Sequence, residues 1–561
     1  MADQIADICI IGAGEAGGIL AKELGAAGLK VVAFERGNVL PREEYGPRDS
    51  IKFTARLRMQ EFIRHEPSTF RATPDARATT RYSTTSALGG RMLTWTGQSA
   101  RFSPDVFNVY TNEIVGGVAD QAGADLTGYD IHDWPVDYDD LEPYYEKFEW
   151  EFGVSGGGAP NPFAGPRKKG FPLPPLRRNA KMELFEGACT KLGYHPYQNA
   201  AGILSQPYRP PALYDTNIEE RQGCVYCAHC NNYGCHVQAK AAPAYTLIPA
   251  ALKTGNVDIR INIKVFRIDT DGAGQATGVS YFTPEGDVKK QRARVVILSG
   301  FVFENSRLLL LSGNGDGRGL ANSSGTVGKG LCGHGDVRTI GLFDDYIVNN
   351  FIGPNTAAIR MDDFNGNNFD HTGLGFIRGA ALGTSGDGAP VQVYDKLPPD
   401  VPCWGKAYKE YLARYYTRNF EVNSATETLP HEDNCIDLDP DVKDGWGIPA
   451  PRVTFSFHQN EKKLHDFIGQ RQREVMAAAG ASKLWTRQPQ RGQRWTGGTC
   501  MGADPNTSVV NGYCQSHDVS NLFVLGASSF TTLSGYPATA TIGALCYRTA
   551  DYIKRQNAWF S

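Results

Sequence analysis

The sequence has no apolar run that approaches the roughly 18 residues expected of a membrane-spanning helix. It has no block of about five or six like charges, and its formal net charge is only -3. Nothing in it therefore indicates the basic surface with which proteins bind nucleic acid. Internal repeats and low-complexity tracts are also absent. The first residues, MADQIADICIIGAG, show neither a basic n-region nor a cleavage site, so we expect no export signal within the chain.

What the sequence does contain is typical of a large globular enzyme. It is 41% hydrophobic and 21% charged, and its 63 glycines suit a loop-rich protein whose backbone closely approaches a cofactor. A chain of 561 residues is too long for one ordinary core. We therefore expect two large domains.

A dinucleotide site is predicted close to the N-terminus. Residues 8–11 form a buried apolar strand, GAGEAG follows as a turn before a helix, and a second strand at 30–34 ends in an acid. The glycines allow a pyrophosphate to approach the helix N-terminus, and the acid is placed to bind a ribose diol. The predicted cofactor-binding residues here are Gly12, Gly14, Gly17, Glu35 and Arg36. The spacing alone leaves NAD and FAD open, although the N-terminal position in a long chain suits FAD.

Four of the twelve cysteines lie in GCVYCAHCNNYGC, at positions 224, 227, 230 and 235. Structural zinc usually takes two separated pairs of ligands, whereas C-x2-C-x2-C is closer to the run that holds an iron–sulfur cluster in ferredoxins. We predict an iron–sulfur cluster on Cys224, Cys227, Cys230 and Cys235; zinc, or cysteines without a ligand, are the alternatives. His229 and His236 could replace a thiol as ligands. No C-x-x-C-H haem attachment motif occurs.

Several longer stretches resemble one enzyme family. They are SALGGRMLTWTGQSARFSPDVF, WPVDYDDLEPYYEKFEWEFGVSG, FENSRLLLLS, DPDVKDGWGIPAPRVTFSFHQNE, NLFVLGASSF, and the cysteine run followed by QAKAAP. Together they resemble the glucose-methanol-choline (GMC) oxidoreductases, especially the large subunits of the gluconate, sorbitol and glucoside 3-dehydrogenase group. The resemblance covers essentially the whole chain.

The resemblance implies FAD as the cofactor. Gly89 and Gly90 match the segment along the flavin, and Gly526 with Ala527 match the returning flavin-contacting turn. Some relatives link FAD covalently through a histidine before a tryptophan, but here Thr94 holds that position, so we predict non-covalent FAD. The expected fold is α/β, a Rossmann-type FAD-binding domain with a discontinuous α+β substrate domain built on an antiparallel sheet.

The resemblance also implies the reaction and its partners. The expected enzyme is an FAD-dependent dehydrogenase, rather than an oxidase, which oxidises a hydroxyl of a sugar, glycoside or polyol. A [3Fe-4S] cluster on three of the four cysteines is implied, with [4Fe-4S] as the alternative. Electrons would pass to a cytochrome c subunit, beside a small chaperone-like subunit. Contact with a membrane would come only through partners, and a periplasmic location would require co-export with one; otherwise the chain is cytoplasmic.

The family's catalytic base is missing from its expected place. GTCMG is present at 498–502, but the histidine expected just before it is replaced by Arg494 or Trp495. The second catalytic residue, an asparagine or histidine, is replaced by Pro537. Neither proline nor tryptophan accepts a proton at neutral pH, and arginine stays charged. General-base help is typically worth about 10²–10⁴ in rate.

Three explanations are open. A base elsewhere in the chain could serve, and the candidates are His334, His431, His458, His465, His517 or a carboxylate. We favour His458, on the strand-like stretch TFSFH, although a structural histidine is the ordinary alternative for each. Alternatively, the substrate needs little base catalysis, and Arg494 stabilises a developing oxyanion. The ordinary alternative for Arg494 is a surface charge. The last explanation is a paralogue that retains the scaffold but has lost its redox activity, or that acts on a non-carbohydrate substrate or as an electron carrier. Tyr536 is a further candidate proton carrier, with core packing as its alternative.

The predicted domain plan is discontinuous. Residues 1–340 form the FAD-binding domain, with the iron–sulfur loop at about 205–240. Residues 341–475 form the substrate domain, and 476–561 return to the FAD-binding domain.

Overall fold

The structure is a computed structural model. It describes residues 5–45, 66–81, 86–214, 217–313, 317–349, 352–354, 356–385 and 396–560. No helix within these ranges is both long and apolar enough to pass through a lipid bilayer.

Nineteen strands are numbered in chain order. They are β1 Ala6–Ile11, β2 Val31–Phe34, β3 Ser68–Arg71, β4 Thr79–Arg81, β5 Pro196–Gln198, β6 Val257–Arg260, β7 Lys264–Thr270, β8 Ala276–Phe282, β9 Val288–Leu298, β10 Cys332–His334, β11 Arg338–Leu342, β12 Ile359–Met361, β13 Ala380–Ser385, β14 Asn419–Thr426, β15 Cys435–Lys443, β16 Pro449–Thr454, β17 Lys483–Arg487, β18 Gln493–Thr496 and β19 Leu522–Val524.

The α-helices of the described ranges are numbered in the same way. They are α1 Glu15–Ala26, α2 Val118–Ala122, α3 Tyr138–Phe152, α4 Ala180–Lys191, α5 Leu247–Lys253, α6 Val302–Leu311, α7 Gly405–Tyr415, α8 Gln459–Ala478 and α9 Thr539–Lys554. Short 3-10 turns include Gly90–Leu93 and Ala527–Ser529, and a π-helical segment spans Tyr110–Val115.

A parallel sheet forms the cofactor-binding half of the molecule. Its central strands run in the order β6-β2-β1-β9, and β19 adds beside β9. The strand β9 serves two sheets. Its first three residues are exposed, the next four alternate between buried and exposed, and the residues up to Arg292 pair with β8. Its last four residues are all buried and pair with β1 and β19. That change fits the rule that parallel strands are covered on both faces. Helices α1, α3 and α9 contribute to the same apolar core.

An antiparallel sheet forms the second half, in the order β17-β11-β14-β13-β12-β5. All eight residues of β14 are buried, because this strand lies inside the sheet, between β11 and β13, and α8 packs against it. The sheet also takes β5, β17 and part of β11, which lie outside the predicted range 341–475. The domain boundaries stay a prediction.

Two smaller sheets complete the fold. One has the order β15-β16-β3-β4, and the other pairs β10 with β18. The β10–β18 pair brings Arg494 and Trp495 close to the start of the antiparallel sheet.

The fold class is confirmed, as a Rossmann-type unit combined with an antiparallel sheet. One local prediction was wrong. The strand β16 ends at Thr454, and His458 is the N-cap residue of α8 rather than a strand residue. The carboxylate of Glu461 accepts a hydrogen bond from the His458 backbone N–H at 3.1 Å. This contact fixes the helix start and overrides the β propensity of FSF.

Candidate active site

One large cavity joins the two halves of the molecule. Its volume is about 1530 Å³, above the roughly 300–1,000 Å³ typical of a small-ligand site. The glycine-rich turn lines one end, and residues of β11, β14, β18 and α8 line the other. The cavity has room for a dinucleotide and a substrate together.

The glycine-rich turn is shaped for a close ligand. Gly12 has φ +96°, and a Cβ there would lie 2.6 Å from the Ser299 carbonyl oxygen. A Cβ on Gly17 would lie 1.9 Å from the carbonyl oxygen of Gly12. Only glycine fits these two positions, and the free N–H groups of the first turn of α1 remain available to an anion. Gly14 lines the cavity, whereas Gly17 supports the turn from behind.

Glu35 and Arg36 lie where β2 ends. The Glu35 carboxylate accepts hydrogen bonds from the backbone N–H groups of Ala13 at 3.1 Å and Gly37 at 2.8 Å. Burial raises the pKa of Glu35, and the two N–H groups oppose that rise. Arg36 pairs with Glu66 and, at 3.0 Å, with Glu304. Glu35 and Arg36 both line the cavity, so they are placed to contact a bound dinucleotide.

The second predicted flavin segment faces the same cavity. Gly90 and Thr94 line it, as do Gly526 and Ala527 of the returning turn. Gly89 is left-handed at φ +94° and packs against Ala244, behind the cavity wall. These placements fit FAD along the whole cavity.

The cysteine segment touches the flavin segment directly. Asn232 donates its backbone N–H to the Thr94 carbonyl at 2.9 Å. The ammonium of Lys240, which is fully buried, donates to the carbonyls of Trp95 at 2.6 Å and Cys230 at 2.7 Å. Burial lowers the pKa of Lys240 to about 8, an effect that the neighbouring cysteines oppose.

The four thiols stand near one another without a disulfide. Burial raises the pKa of Cys224 and Cys230 to about 12, so without a metal they are neutral. Among the described residues, no three of these sulfurs lie within 4.8 Å of each other. Four thiolates on one zinc at about 2.3 Å would lie only about 3.8 Å apart. Four thiols on one loop are the donor set that an iron–sulfur cluster would use.

The backbone of the cysteine segment is tightly wound. Four non-glycine residues there are left-handed: Tyr226 at φ 56°, Ala228 at 63°, Asn232 at 68° and Gln238 at 58°. Such residues cost about 1 kcal/mol or more each unless the surroundings hold them. The His229 ring contacts the Cys227 carbonyl at 2.6 Å, while His236 lies beside Arg42.

Arg494 and Trp495 both line the cavity. The Trp495 indole packs between Phe303 at 5.5 Å and Phe455 at 4.8 Å. Arg494 is left-handed, with φ 52°, and its side chain is exposed to the cavity. Within the described ranges no hydrogen bond or ion pair engages the Arg494 guanidinium. Burial and the nearby Arg338 and Arg360 lower the pKa of Arg494, and Asp336 raises it.

The structure does not bring His458 to the cavity wall. Its ring stacks on His431 with centroids 3.4 Å apart and an angle of 8°. With Asp433 these rings form a group whose ligand atoms lie within 4.8 Å of one another, and which could hold a divalent cation. Burial and the His431 ring lower the pKa of His458 to about 4.

Tyr536 also lies off the cavity wall, although its neighbour Pro537 lines it. The Tyr536 hydroxyl donates to the carboxylate of Asp362, which is fully buried. Burial and this carboxylate raise the pKa of Tyr536 well above its ordinary value. The contacts of Tyr536 are therefore those of a core residue.

Sequence reasoning named His465 only as one of five candidate bases and missed the other polar residues that line the cavity with it. These residues come from the antiparallel sheet, from α8 and from the chain just before α7: Arg338, Lys396, Glu421, Asn423, Lys462 and Asp466. The only local signal is spacing. Glu421 and Asn423 are two apart on a strand, and the three α8 residues follow helical i, i+3, i+4 spacing.

The parallel sheet, the glycine turn and the long two-part cavity together define a flavin-dependent oxidoreductase. The GMC oxidoreductase family models match residues 211–336 and 430–546. A gluconate 2-dehydrogenase flavoprotein from Pantoea cypripedii is 32% identical over 98% of this chain and 94% of its own length. The chain belongs to the GMC oxidoreductase family.

Two further comparisons agree with this assignment. The fructose dehydrogenase large subunit of Gluconobacter japonicus is 26% identical over 98% of this chain and 97% of its own length. The structure of a formate oxidase mutant from Aspergillus oryzae matches with a TM-score of 0.63 and 15% identity, over 100% of this chain and 99% of that one. The chain is thus an FAD-dependent oxidoreductase that acts on CH–OH donors.

Proposed function

We propose that this chain is the catalytic subunit of a dehydrogenase that oxidises a hydroxyl of a sugar, sugar acid, glycoside or polyol. It would pass the electrons through an iron–sulfur cluster to an external acceptor such as a cytochrome c subunit. The contact between Lys240 and Trp95 is the observation that carries this proposal. It joins the cysteine segment to the flavin segment through one fully buried side chain.

A short electron path supports a dehydrogenase rather than an oxidase. Bound FAD would accept two electrons as a hydride, and an iron–sulfur cluster passes electrons on singly. The four cysteines would hold the cluster, and Asn231 and Asn232 of the same loop line the cofactor cavity. FAD would be bound without a covalent link, because Thr94 offers no histidine. Further subunits are supported by the relatives, which are named as a flavoprotein and a large subunit.

Arg494 would bind the substrate. Asp336 is near enough to raise the pKa of Arg494, yet among the described residues no hydrogen bond or ion pair engages the guanidinium. An anionic group of a ligand in the cavity would stabilise it further. A substrate carboxylate, or the reacting oxygen as it gains charge, would supply that group. The gluconate 2-dehydrogenase relative makes a sugar acid the first candidate.

The test is anaerobic. The protein, with flavin and cluster intact, is mixed with sugar acids, neutral sugars, glycosides and polyols, and flavin bleaching is followed. Bleaching by a hydroxyl donor, followed by a reduced-cluster signal in electron paramagnetic resonance, is expected. Arg494→Gln should weaken substrate binding at least tenfold, while exposed Arg473→Gln should not.

The second candidate function is a flavoprotein with altered, non-carbohydrate chemistry or an electron-carrying role. Its specific support is the pair Arg494 and Pro537, which line the cavity where relatives of this family carry the base and its partner. A flavin that no hydroxyl donor bleaches, but that a chemical reductant reduces, would favour this candidate and contradict the first.

A further inference from the structure

One histidine reaches the substrate end of the cavity. Of the five histidines considered as replacement bases, only His465 lines the cavity. His334 is fully buried, and its Nε2 contacts the Ser534 carbonyl at 2.7 Å. His431 and His458 stack on each other. His517 contacts Ser508 at 3.0 Å, away from the cavity wall.

We propose that His465 is the proton acceptor of the reaction and replaces the base that the family carries just before the GTCMG segment. The proposal rests on the proposed function, since it assumes that a substrate hydroxyl is oxidised in this cavity. Nothing in the sequence around His465 marks it, because its neighbours on α8 form an ordinary helix face.

The His465 ring is held in a defined orientation. Its Nε2 lies 3.0 Å from the Thr426 hydroxyl oxygen. The Thr426 backbone N–H in turn donates to the Gly335 carbonyl at 3.0 Å. A Cβ on Gly335 would lie 2.2 Å from His465 Nε2, so the absence of a side chain there is what admits the ring. A Phe457 ring, edge-on at 4.7 Å, packs on it as well.

The other ring nitrogen is free to act. If Nε2 donates its proton to Thr426, Nδ1 carries the lone pair. Nδ1 has no hydrogen-bond partner among the described residues. It is also absent from the set of fully buried polar atoms without a partner, so it retains some access to solvent. An unpartnered Nδ1 on a cavity-lining ring is what a proton acceptor requires.

Arg494 and His465 line the same cavity, and the strand β10 connects their two surroundings. The strand β10 ends at His334, which pairs with Gln493 next to Arg494. Gly335, the following residue, contacts His465. A substrate oxygen bound by the Arg494 guanidinium would therefore lie in the cavity that His465 also lines.

His465 is neutral at physiological pH. Burial lowers its pKa to about 4. The charged groups that line this end of the cavity are Lys462 and Asp466 on its own helix, Arg338 on β11, Glu421 on β14, Arg494 on β18, and Lys396. Burial is the cause of the shift, rather than any of these charges. The ring is thus unprotonated before the substrate arrives.

The step balances as a two-electron oxidation. The substrate O–H bond breaks and its proton goes to Nδ1 of His465. The adjacent C–H bond breaks, its hydrogen leaves with the electron pair as hydride to the cofactor, and a C=O bond forms. Arg494 holds the oxygen throughout, and the imidazolium then releases its proton to solvent. His465 would be a catalytic residue in this scheme, because it contacts the reacting hydroxyl.

The test compares His465→Asn with His517→Asn, a histidine outside the cavity. Flavin content is measured for both variants. The anaerobic rate of flavin bleaching by the best hydroxyl donor should fall about 10²- to 10⁴-fold in His465→Asn, with substrate affinity within about threefold, and stay near the wild-type rate in His517→Asn. Bleaching by His465→Asn within threefold of wild type would overturn the proposal while leaving the proposed function intact.

A wild-type measurement keeps the test independent of folding in the variant. The rate of flavin bleaching should decrease as the pH is lowered through about 4. A decrease centred near the ordinary histidine pKa of about 6.5 would overturn the proposal. If no hydroxyl donor bleaches the wild-type flavin, the proposed function fails first, and the role of His465 fails with it.

Discussion

The ammonium group of Lys240 donates a 2.6 Å hydrogen bond to the backbone carbonyl of Trp95. It also donates to Cys230 at 2.7 Å and Tyr233 at 2.8 Å, and none of its surface is exposed. One cation therefore satisfies three buried carbonyls from two segments that are far apart in sequence. The cysteine segment and the cofactor segment are held together at this point.

Replacing this lysine should loosen both segments. Lys240→Met keeps the length of the side chain but removes three buried hydrogen bonds, and the Cys230 carbonyl keeps only the longer bond from the Tyr233 backbone N–H at 3.3 Å. A buried carbonyl left without a donor costs about 1–3 kcal/mol. We expect the unfolding midpoint to fall by several degrees and iron content to decrease. Lys253→Met, which removes only a surface pair with Glu219, is the matched control. Equal stability of the two variants would contradict the role given to Lys240.

The glycine turn should not tolerate even one methyl group. In Gly17→Ala the new Cβ would meet the Gly12 carbonyl oxygen at 1.9 Å, so the turn must open and FAD should be lost on purification. Gly187→Ala, an exposed position in α4 where nothing lies within 4 Å of the new Cβ, is the control. It should retain FAD and gain about 0.5–1 kcal/mol of stability. The flavin-to-protein absorbance ratio measures both.

The four clustered cysteines should differ in their effect on bound iron. Single Cys→Ser changes at positions 224, 227, 230 and 235 are compared by iron content and electron paramagnetic resonance. A [3Fe-4S] cluster predicts that three changes abolish the signal and one does not. Cys403→Ser, at an exposed and isolated thiol, should change nothing. Zinc without iron in the wild-type protein would contradict the cluster.

Acid should destabilise the protein partly through His465. Its pKa is about 4 in the folded protein and near 6.5 when unfolded. Between these values the unfolded chain binds more protons, so stability falls as pH drops from about 6.5 to 4. The contribution is at most about 3 kcal/mol, at roughly 1.4 kcal/mol per pKa unit.

A difference measurement isolates this contribution. Burial raises the pKa of Glu427 to about 7, which makes stability fall as pH rises and partly hides the histidine effect. Urea unfolding of wild type and His465→Gln from about pH 4.5 to 7.5 should therefore be compared at each pH. The difference in free energy of unfolding between wild type and His465→Gln should change with pH over this range. A difference that stays constant would contradict the lowered pKa of His465.

Much of the cofactor half was predictable from local patterns. Gly12, Gly17 and Glu35 occupy a strand–turn–helix unit within about 30 residues. The tight turn of such a unit needs glycine at fixed positions, so the pattern is visible in the sequence. The cysteine spacing likewise constrains the segment to a compact loop. The family resemblance of the remaining stretches then indicated the antiparallel second half.

The residues at the substrate end of the cavity were not predictable in this way. The stretch FSFH favours His458 as the base, but His458 is the N-cap of α8 and its ring stacks on His431. His465, only seven residues later, lies two helical turns along and faces the cavity. A one-dimensional pattern cannot separate these two outcomes, because positions two turns apart share one helix face and only the tertiary structure decides which turn of α8 borders the cavity.

The sequence alone determined the glycine-rich turn near the N-terminus, the close spacing of four cysteines, and the absence of a histidine just before GTCMG. These are local properties, set by glycine geometry, thiol spacing and the identity of the residues at 494, 495 and 537. The tertiary structure alone decided which side chains meet in the cavity. Arg494, His465 and Arg338 come from separate elements, and only the pairing of β10 with β18 and the packing of α8 on the sheet bring them to one wall.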